Sequence, residues 1–377
     1  MTPASRLGIS GQVSPAKYGE RIEVAHMTPS DDGNLPQAPA ISSHDELLKD
    51  LAGRIDSTLS DLVDSSIPFA LLDFPNHDNI GDSAIYAGTV SYFDARRMTP
   101  SYVCSVGFYD HDELNRAIQT GPIFMQGGGN FGDLWPWIHS FREQVLSRNR
   151  GRKIVQLPQT IYFSSEAALD DTARVIERHG AFTLLVRDQR SFELAREKFA
   201  CEVRLCPDMA LYMGKLARPV PQLDLLLHLR EDKEATGIHH VNSVLARANS
   251  RRADWPREFK GFGRIAQLRS LALAARKGEI FRGANLRRER YYRALSQQRL
   301  ARGIKLLGSA KMVITDRLHG HILAFLMGLP HCVLDNSYGK TSSFMAAWNT
   351  KVAHTYTADS AAQAVEVLCE HEGLKVS

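Results

Sequence analysis

Val313–Leu334 reads VITDRLHGHILAFLMGLPHCVL. An apolar β-run, Met312–Ile314, stops at Thr315 and Asp316, and Arg317, His319 and Gly320 precede an apolar helical run that ends at Gly328-Leu329-Pro330. A hydrophobic strand followed at once by polar residues and a helix start puts those residues at the carboxyl edge of a sheet, where open α/β folds bind ligands. There Arg317 can hold an anion through its fork of donors. His319 can move a proton near neutral pH. His319 and His321 form H-x-H, but no third residue is spaced to complete a metal site, so no metal is expected.

Working outward, apolar runs alternate with amphipathic segments. Strands are expected at Phe69–Asp73, Tyr102–Ser105, Ile123–Gln126, Lys153–Leu157, Thr183–Arg187 and Val203–Leu205, with helical segments between most of them. A second α/β unit opens with Leu225–Leu229 and closes with Met312–Ile314 and His331–Leu334. The alternation predicts an α/β fold with parallel, doubly wound sheets, drawn as two Rossmann-like domains facing a cleft. The expected divisions are a mobile tail at 1–43, a first domain at 44–215 that opens with a helix from His44 to Leu62, a second domain at 222–355, and a C-terminal helix at 356–377. The prolines 207, 219 and 221 mark the crossing.

The 377 residues suit two ordinary domains. No apolar run reaches the roughly 18 to 20 residues of a membrane span. The start lacks the apolar core of a secretory signal, so a cytoplasmic protein is expected. Five scattered cysteines form no C-x-x-C pair; Cys104 and Cys332 are read as small core residues, and Cys201 and Cys206 could reach a metal but have no His or Cys of the right spacing to support them.

The net charge of +4 is unevenly spread. Residues 247–302 hold 16 Lys and Arg against 4 Asp and Glu. A solvated helical face is one reading of this basic helical insert. The other is a surface facing anionic lipid at the inner face of the plasma membrane, or a polyanionic substrate. Nucleic acid is not expected, because no nucleic-acid motif accompanies the charge.

Two glycine-bearing turns follow strands of the first unit. Asn79, Gly81, Asp82 and Ser83 in NIGDS open a helix whose N-terminus favours an anion, although Asp82 or Ser83 could equally be an N-cap. In QGGGNFGD, residues 126–133, Gly127, Gly129 and Gly132 satisfy G-x-G-x-x-G. The acidic residue a dinucleotide site needs at the end of the next strand is missing, since Lys153–Leu157 runs into Pro158 and Gln159. A turn lining a sugar or phosphate pocket, with Gly128, Gly129 and Asn130 at the ligand, is the better reading, and no cofactor is expected. Arg187-Asp188 and Arg230-Glu231 each end a strand, and with Arg317 the two arginines suggest an anion clamp. Asp208 at the crossing could position loops or bind acceptor hydroxyls.

In order and spacing, N-I-G-D at Asn79–Asp82, G-G-G-N at Gly127–Asn130, R-D at Arg187–Asp188, P-D at Pro207–Asp208 and D-R-L-H-G-H at Asp316–His321 resemble the polysaccharide pyruvyl transferase family. The resemblance runs from about Leu71 to about Trp348 and implies a GT-B-like fold. It further implies transfer of pyruvate from phosphoenolpyruvate, as a ketal, onto a sugar of a lipid-linked oligosaccharide or polysaccharide acceptor. By the same likeness His319 is the general acid, and Arg317 and Arg230 bind the donor's phosphate and carboxylate. On chemical grounds apart from the likeness, Asp82 could accept the proton of the acceptor hydroxyl. Arg187, Asn79, Gly81, Gly128, Gly129, Asn130, Asp208 and His321 complete the expected substrate-binding set. The competing readings are a GT-B glycosyltransferase that uses a nucleotide sugar and a non-catalytic scaffold of polysaccharide assembly.

Overall fold

A computed structural model describes residues 43–231, 249–276, 283–334, 340–348, 350 and 354–375. The expected tail before residue 43 lies outside the described residues, as do 247–248 and 277–282 of the basic block.

Every strand pair in both sheets is parallel. The first sheet runs in the order β2 (Tyr102–Val103), β1 (Ala70–Leu72), β3 (Ile123–Met125), β5 (Ile154–Ile161), β6 (Phe182–Val186) and β7 (Glu202–Leu205), and β4 (Gly128–Phe131) also pairs with β5. The second runs β12 (Thr355–Ala358), β11 (His331–Leu334), β10 (Ala310–Thr315), β8 (Leu223–His228) and β9 (Ser250–Ala253). Parallel strands need crossovers, and these are mostly helical. They are α2 (Ile80–Ala95), α3 (His111–Ile118), α4 (Pro136–Arg148), α5 (Glu166–His179) and α6 (Gln189–Lys198) in the first unit, after α1 (His44–Leu59). The second unit has α7 (Phe262–Arg276), α8 (Ala284–Leu307), α9 (Leu318–Leu326), α10 (Lys340–Trp348) and α11 (Ala361–Glu372). The expected α/β class with two parallel sheets is what the chain forms.

Strand order explains where a site can lie. From β1 the chain goes to β2 on one side and then to β3 on the other, so the topology switches between β1 and β3. From β8 it goes to β9 on one side and to β10 on the other, so a second switch lies between β8 and β10. Crevices at the carboxyl ends of such strands bind ligands. The NIGD and GGGN turns leave the first switch, and Arg230 and Arg317 leave the second.

One core cluster joins the inner faces of both sheets, with Leu71, Phe124 and Leu185 from the first and Leu226 and Val313 from the second. Helix α2 lies within it and packs against α8 and α9. It is apolar almost all round, as a helix buried on all sides must be. Helix α1 adds the stripe Leu47, Leu51, Ile55 and Leu59, begun by a capping box between Ser43 and Glu46. Each such buried leucine contributes about 1.5–3 kcal/mol.

Two expectations are corrected. Strand β5 does not stop at Leu157 but continues through Pro158 to Ile161. The proline sits where the register with β6 shifts, between Gln156 and Gln159, which is where a strand tolerates one. The basic block is not one solvated helical face. Ser250–Ala253 is a strand of the second sheet, and α8 packs into the core with Glu289, Arg290 and Arg299 buried. Its arginines are engaged: Arg299 donates to the Pro75 carbonyl at 2.7 Å, Arg288 pairs with Glu113 and Arg293 with Asp94. The charge therefore joins elements of the two units.

Candidate active site at the two switch points

Asn79 is the N-cap of α2, its Oδ1 accepting from the Gly81 N–H at 2.9 Å. With the cap taken, Asp82 in the first turn is turned to a cavity of about 470 Å³. Its Oδ2 lies 3.6 Å from His77 Nε2. The same cavity is lined by Gly129 and Asn130 from β4, Arg187 after β6, Arg230 after β8, and Arg317 and His319 at the start of α9. Residues far apart in sequence are thus brought to one place by the two switch points.

His319 is the second residue of α9, held between two neighbours. A Cβ on Gly81 would stand 2.6 Å from its Nδ1, so only glycine lets the turn approach this closely. On the other side His319 Nε2 lies 3.4 Å from Asp208 Oδ2. Asp208 is wholly buried and its Oδ2 also accepts from Arg187 Nη1 at 2.5 Å, while its Oδ1 accepts from the Ala210 N–H at 2.8 Å. Burial works to raise this carboxyl. The facing His319 and Arg187 overcome that effect and hold it well below the usual carboxylate range. Arg187 is fixed further by donating Nε to Thr160 Oγ1 at 2.9 Å. Asp208 does not line the cavity but stands behind His319 and Arg187. Asp188 of the R-D pair is the N-cap of α6.

Arg317 donates Nε and Nη2 to the two oxygens of Asp254, each at 2.6 Å. Burial would raise the Asp254 carboxyl, but this fork of hydrogen bonds lowers it. Asp316 is turned inward, where its oxygens accept from the Arg230 N–H at 3.0 and 3.2 Å and burial pushes its carboxyl up to about 6. That bond ties the loop after β8 to the loop after β10. Beneath it Thr315 Oγ1 bonds His228 Nδ1 at 2.9 Å and accepts from the Arg317 N–H at 3.1 Å. Buried beside Trp255, with ring centroids 4.0 Å apart, and facing the Arg317 charge, His228 is lowered to about 3 and stays neutral.

His321 is a correction. It is fully buried, with Nδ1 2.8 Å from His331 Nε2 and Nε2 2.9 Å from Thr350 Oγ1, and does not line the cavity. Two residues along a helix are about 200° apart, so His319 and His321 cannot share a face. Burial first, then the neighbouring histidines, push His321 well below its usual range. Gly128 lies off the wall but supports it, a Cβ there standing 3.6 Å from Asp82 Oδ1. Asn130 Oδ1 accepts from Arg142 Nη2 at 2.9 Å and Gln159 Nε2 at 3.0 Å, which anchors the glycine turn.

Several lining residues were not singled out from the sequence: His77, Trp135, Trp137, Asp254, Trp255 and Arg257. Asp254 had a readable signal, an acid directly after a strand, but it was hidden among arginines. Among the described residues no cluster of His, Cys, Asp and Glu is arranged to hold a metal ion, and no helix is long and apolar enough to cross a membrane.

Known proteins resemble this chain over most of its length. Pyruvyl transferase 1 of Schizosaccharomyces pombe (strain 972) is 30% identical over 289 residues, which span 74% of this chain and 69% of that protein. EpsO of Bacillus subtilis (strain 168), a candidate pyruvyl transferase, is 29% identical over 310 residues, 79% of this chain and 91% of its own. A crystal structure of a functionally uncharacterized protein from Klebsiella pneumoniae superposes with a TM-score of 0.52 at 18% identity, covering 82% of this chain and 99% of that one, a likeness of fold. The polysaccharide pyruvyl transferase family matches residues 79–338. That span contains the turns that leave both switch points and every wall of the cavity except His77 and Asp78, and the chain belongs to the polysaccharide pyruvyl transferase family.

Proposed function

We propose that the chain moves pyruvate from phosphoenolpyruvate onto two hydroxyls of a sugar in a lipid-linked polysaccharide repeat unit, forming a ketal. The observation that carries this reading is the convergence of Arg187, Arg230, Arg317, His319 and Asp82 on one cavity between the two sheet edges. Phosphoenolpyruvate has about three negative charges near neutral pH, which suits guanidinium forks. Arg230, and Arg317 by exchanging part of its fork on Asp254 for the ligand, would take its phosphate and carboxylate, with the N-terminus of α9 behind them. Asn79, Gly129 and Asn130 shape the opposite wall, with Gly81 and Gly128 behind it. The two sheets facing one cavity, as separate domains divided near 215–222, would make a GT-B-like arrangement.

In the proposed reaction His319 gives a proton to the methylene carbon, and the adjacent carbon becomes oxocarbenium-like. A sugar hydroxyl oxygen bonds to that carbon while its proton passes to Asp82. The carbon–oxygen bond to phosphate then breaks, and the second hydroxyl closes the ketal as its proton leaves to phosphate. Asp208 is a positioning residue here, facing His319 Nε2 and holding Arg187. Nothing in this scheme requires a metal.

The acceptor's lipid carrier would bring the protein to a membrane surface. Helix α7 is the part of the basic block suited to that contact. Its buried stripe is Phe262, Ala266, Ser270 and Ala274, while Ile265, Leu268 and Leu271 are exposed beside Arg264, Arg269 and Arg276, with no acidic residue in the helix. An outward apolar face among cations matches an anionic lipid surface.

Titration calorimetry with phosphoenolpyruvate tests the donor. Saturable binding, lost in Arg317→Ala, is expected. Binding of a UDP- or GDP-sugar with none of phosphoenolpyruvate would overturn the reading and favour a glycosyltransferase.

A further inference from the structure

A second cavity, of about 180 Å³, opens off the first. The two share His77, Asp82, Asn130, Trp137 and Ile138, so Asp82 stands on their common wall. The remaining lining includes Asp73 after β1, Gln126 after β3 and Phe108. No lysine or arginine lines it, and two aspartates do, so its chemistry is unlike that of the arginine-bearing cavity next door. An anion is disfavoured, whereas a neutral polyhydroxyl compound suits it.

Three features point to a ligand. Gln126 is 2% exposed, yet neither its Nε2 nor its Oε1 has a partner. Its main-chain carbonyl is already doubly served, accepting from Gln156 Nε2 at 2.8 Å and Gln159 Nε2 at 3.1 Å. A buried amide left unpaired is costly, and an apolar residue of similar size would avoid the cost. The amide offers one donor group and one acceptor, the pair a sugar hydroxyl can satisfy. Asp73 is buried at a φ of 68°, a left-handed conformation that bulky residues disfavour and that concentrates at functional sites. Phe108 and Trp137 are 65% and 55% exposed, leaving large aromatic surfaces uncovered at the rim.

We infer that this second cavity is the acceptor subsite, holding one pyranose ring of the sugar chain, with Gln126 and Asp73 bonding its hydroxyls and Phe108 and Trp137 covering its apolar face. The inference rests on the pyruvyl-transfer reading of the adjoining cavity. Drug-sized ligands fill roughly 300–1,000 Å³, so this smaller space suits a single ring with the rest of the chain leaving past the rim. From here a hydroxyl meets Asp82 on the shared wall, in line with the donor side. The subsite also gives the two hydroxyls one fixed orientation, which a ketal spanning both requires.

Saturation-transfer NMR with methyl glycosides of glucose, galactose and mannose, in the presence of phosphoenolpyruvate, tests this. Gln126→Leu and Phe108→Ala are the informative variants because both residues line the second cavity alone. At least one glycoside should bind the unaltered protein, and each variant should weaken it by roughly fivefold, the value of one hydrogen bond or a lost ring contact. Phosphoenolpyruvate affinity, read by calorimetry on the same samples, should change less than about twofold. If phosphoenolpyruvate binds and no glycoside does, or glycoside binding ignores both substitutions, the subsite is wrong while the donor reading stands. If phosphoenolpyruvate itself fails to bind, the donor reading falls and takes the inference with it.

Discussion

His319 Nε2 faces Asp208 Oδ2 across 3.4 Å, and the two residues come from different sheets: Asp208 follows β7, and His319 opens the helix after β10. That carboxylate oxygen is also the acceptor of the buried Arg187. One aspartate thus holds an arginine and a histidine that both front the same cavity.

Asp208→Asn keeps the shape and removes the charge. The Asp208 carboxyl is held below its unfolded value, so its contribution to stability is present above the usual carboxylate range and is lost as pH falls through the depressed value. The variant should therefore be less stable near pH 7, by about 3–5 kcal/mol for a buried pair broken on one side, and the gap should narrow in strong acid. With the facing carboxylate gone, His319 and Arg187 lose the group that positions both. Turnover should drop up to roughly 100-fold. Turnover equal to that of the parent would mean that Asp208 does not position the histidine.

Two glycines in the site separate function from stability. In Gly81→Ala the added methyl would meet His319 Nδ1 at 2.6 Å, the imidazole of a partly exposed residue that can move aside. Activity should fall, with a smaller loss of stability than at Gly320. In Gly320→Ala the methyl meets Thr315 Oγ1 at 2.3 Å and His228 Nδ1 at 2.7 Å, a bonded pair in the interior with no room to give. That variant should lose about 1–3 kcal/mol, measured by denaturant unfolding. A reversal of the two effects would contradict the packing around His319.

The contrast between these glycines shows what a sequence can carry. The strand, polar turn and helix of Val313–Leu334 are legible because each is local: β10, α9 and β11 lie where their apolar runs end. The convergence of Arg187, Arg230 and Arg317 on one cavity follows from strand order, which no local pattern encodes. His321 was legible in principle, since helical geometry alone turns it away from His319. Asp254 gave only a faint signal, an acid directly after a strand, because its partner Arg317 lies 63 positions on and the surrounding arginines mask one acid. The basic block looked uniform in composition, yet one part is a strand, one a core helix and one an outward helix. Only burial distinguishes them.

Asp73 gives a pH signature. Burial, reinforced by Asp82 and opposed by Arg142, pushes its carboxyl up to about 7. A carboxyl raised on folding favours the folded state least when ionised, so its cost appears as pH rises from about 4 to 7 and stays constant above that. Asn tolerates the left-handed backbone that Asp73 adopts. Asp73→Asn should therefore gain stability over the parent between pH 5 and pH 8, by roughly 1–3 kcal/mol. A difference between the two proteins that is flat across that range would remove the raised carboxyl.

Helix α7 allows a direct test of the proposed membrane surface. Leu268 is 66% exposed at the centre of its outward face, and Arg264 and Arg269 flank it. Each cation near an anionic bilayer adds about 1 kcal/mol of attraction, within a Debye length of the surface. Flotation with phosphatidylcholine vesicles should show little binding, and adding phosphatidylglycerol should bring the protein to the lipid fraction until salt releases it. Arg264→Glu with Arg269→Glu reverses two charges and should weaken binding by roughly tenfold or more, while Leu268→Ser weakens it with less change in salt sensitivity. These positions are solvent-facing, so neither variant should unfold. Equal binding to neutral and anionic vesicles, or indifference to both substitutions, would return α7 to an ordinary solvated helix.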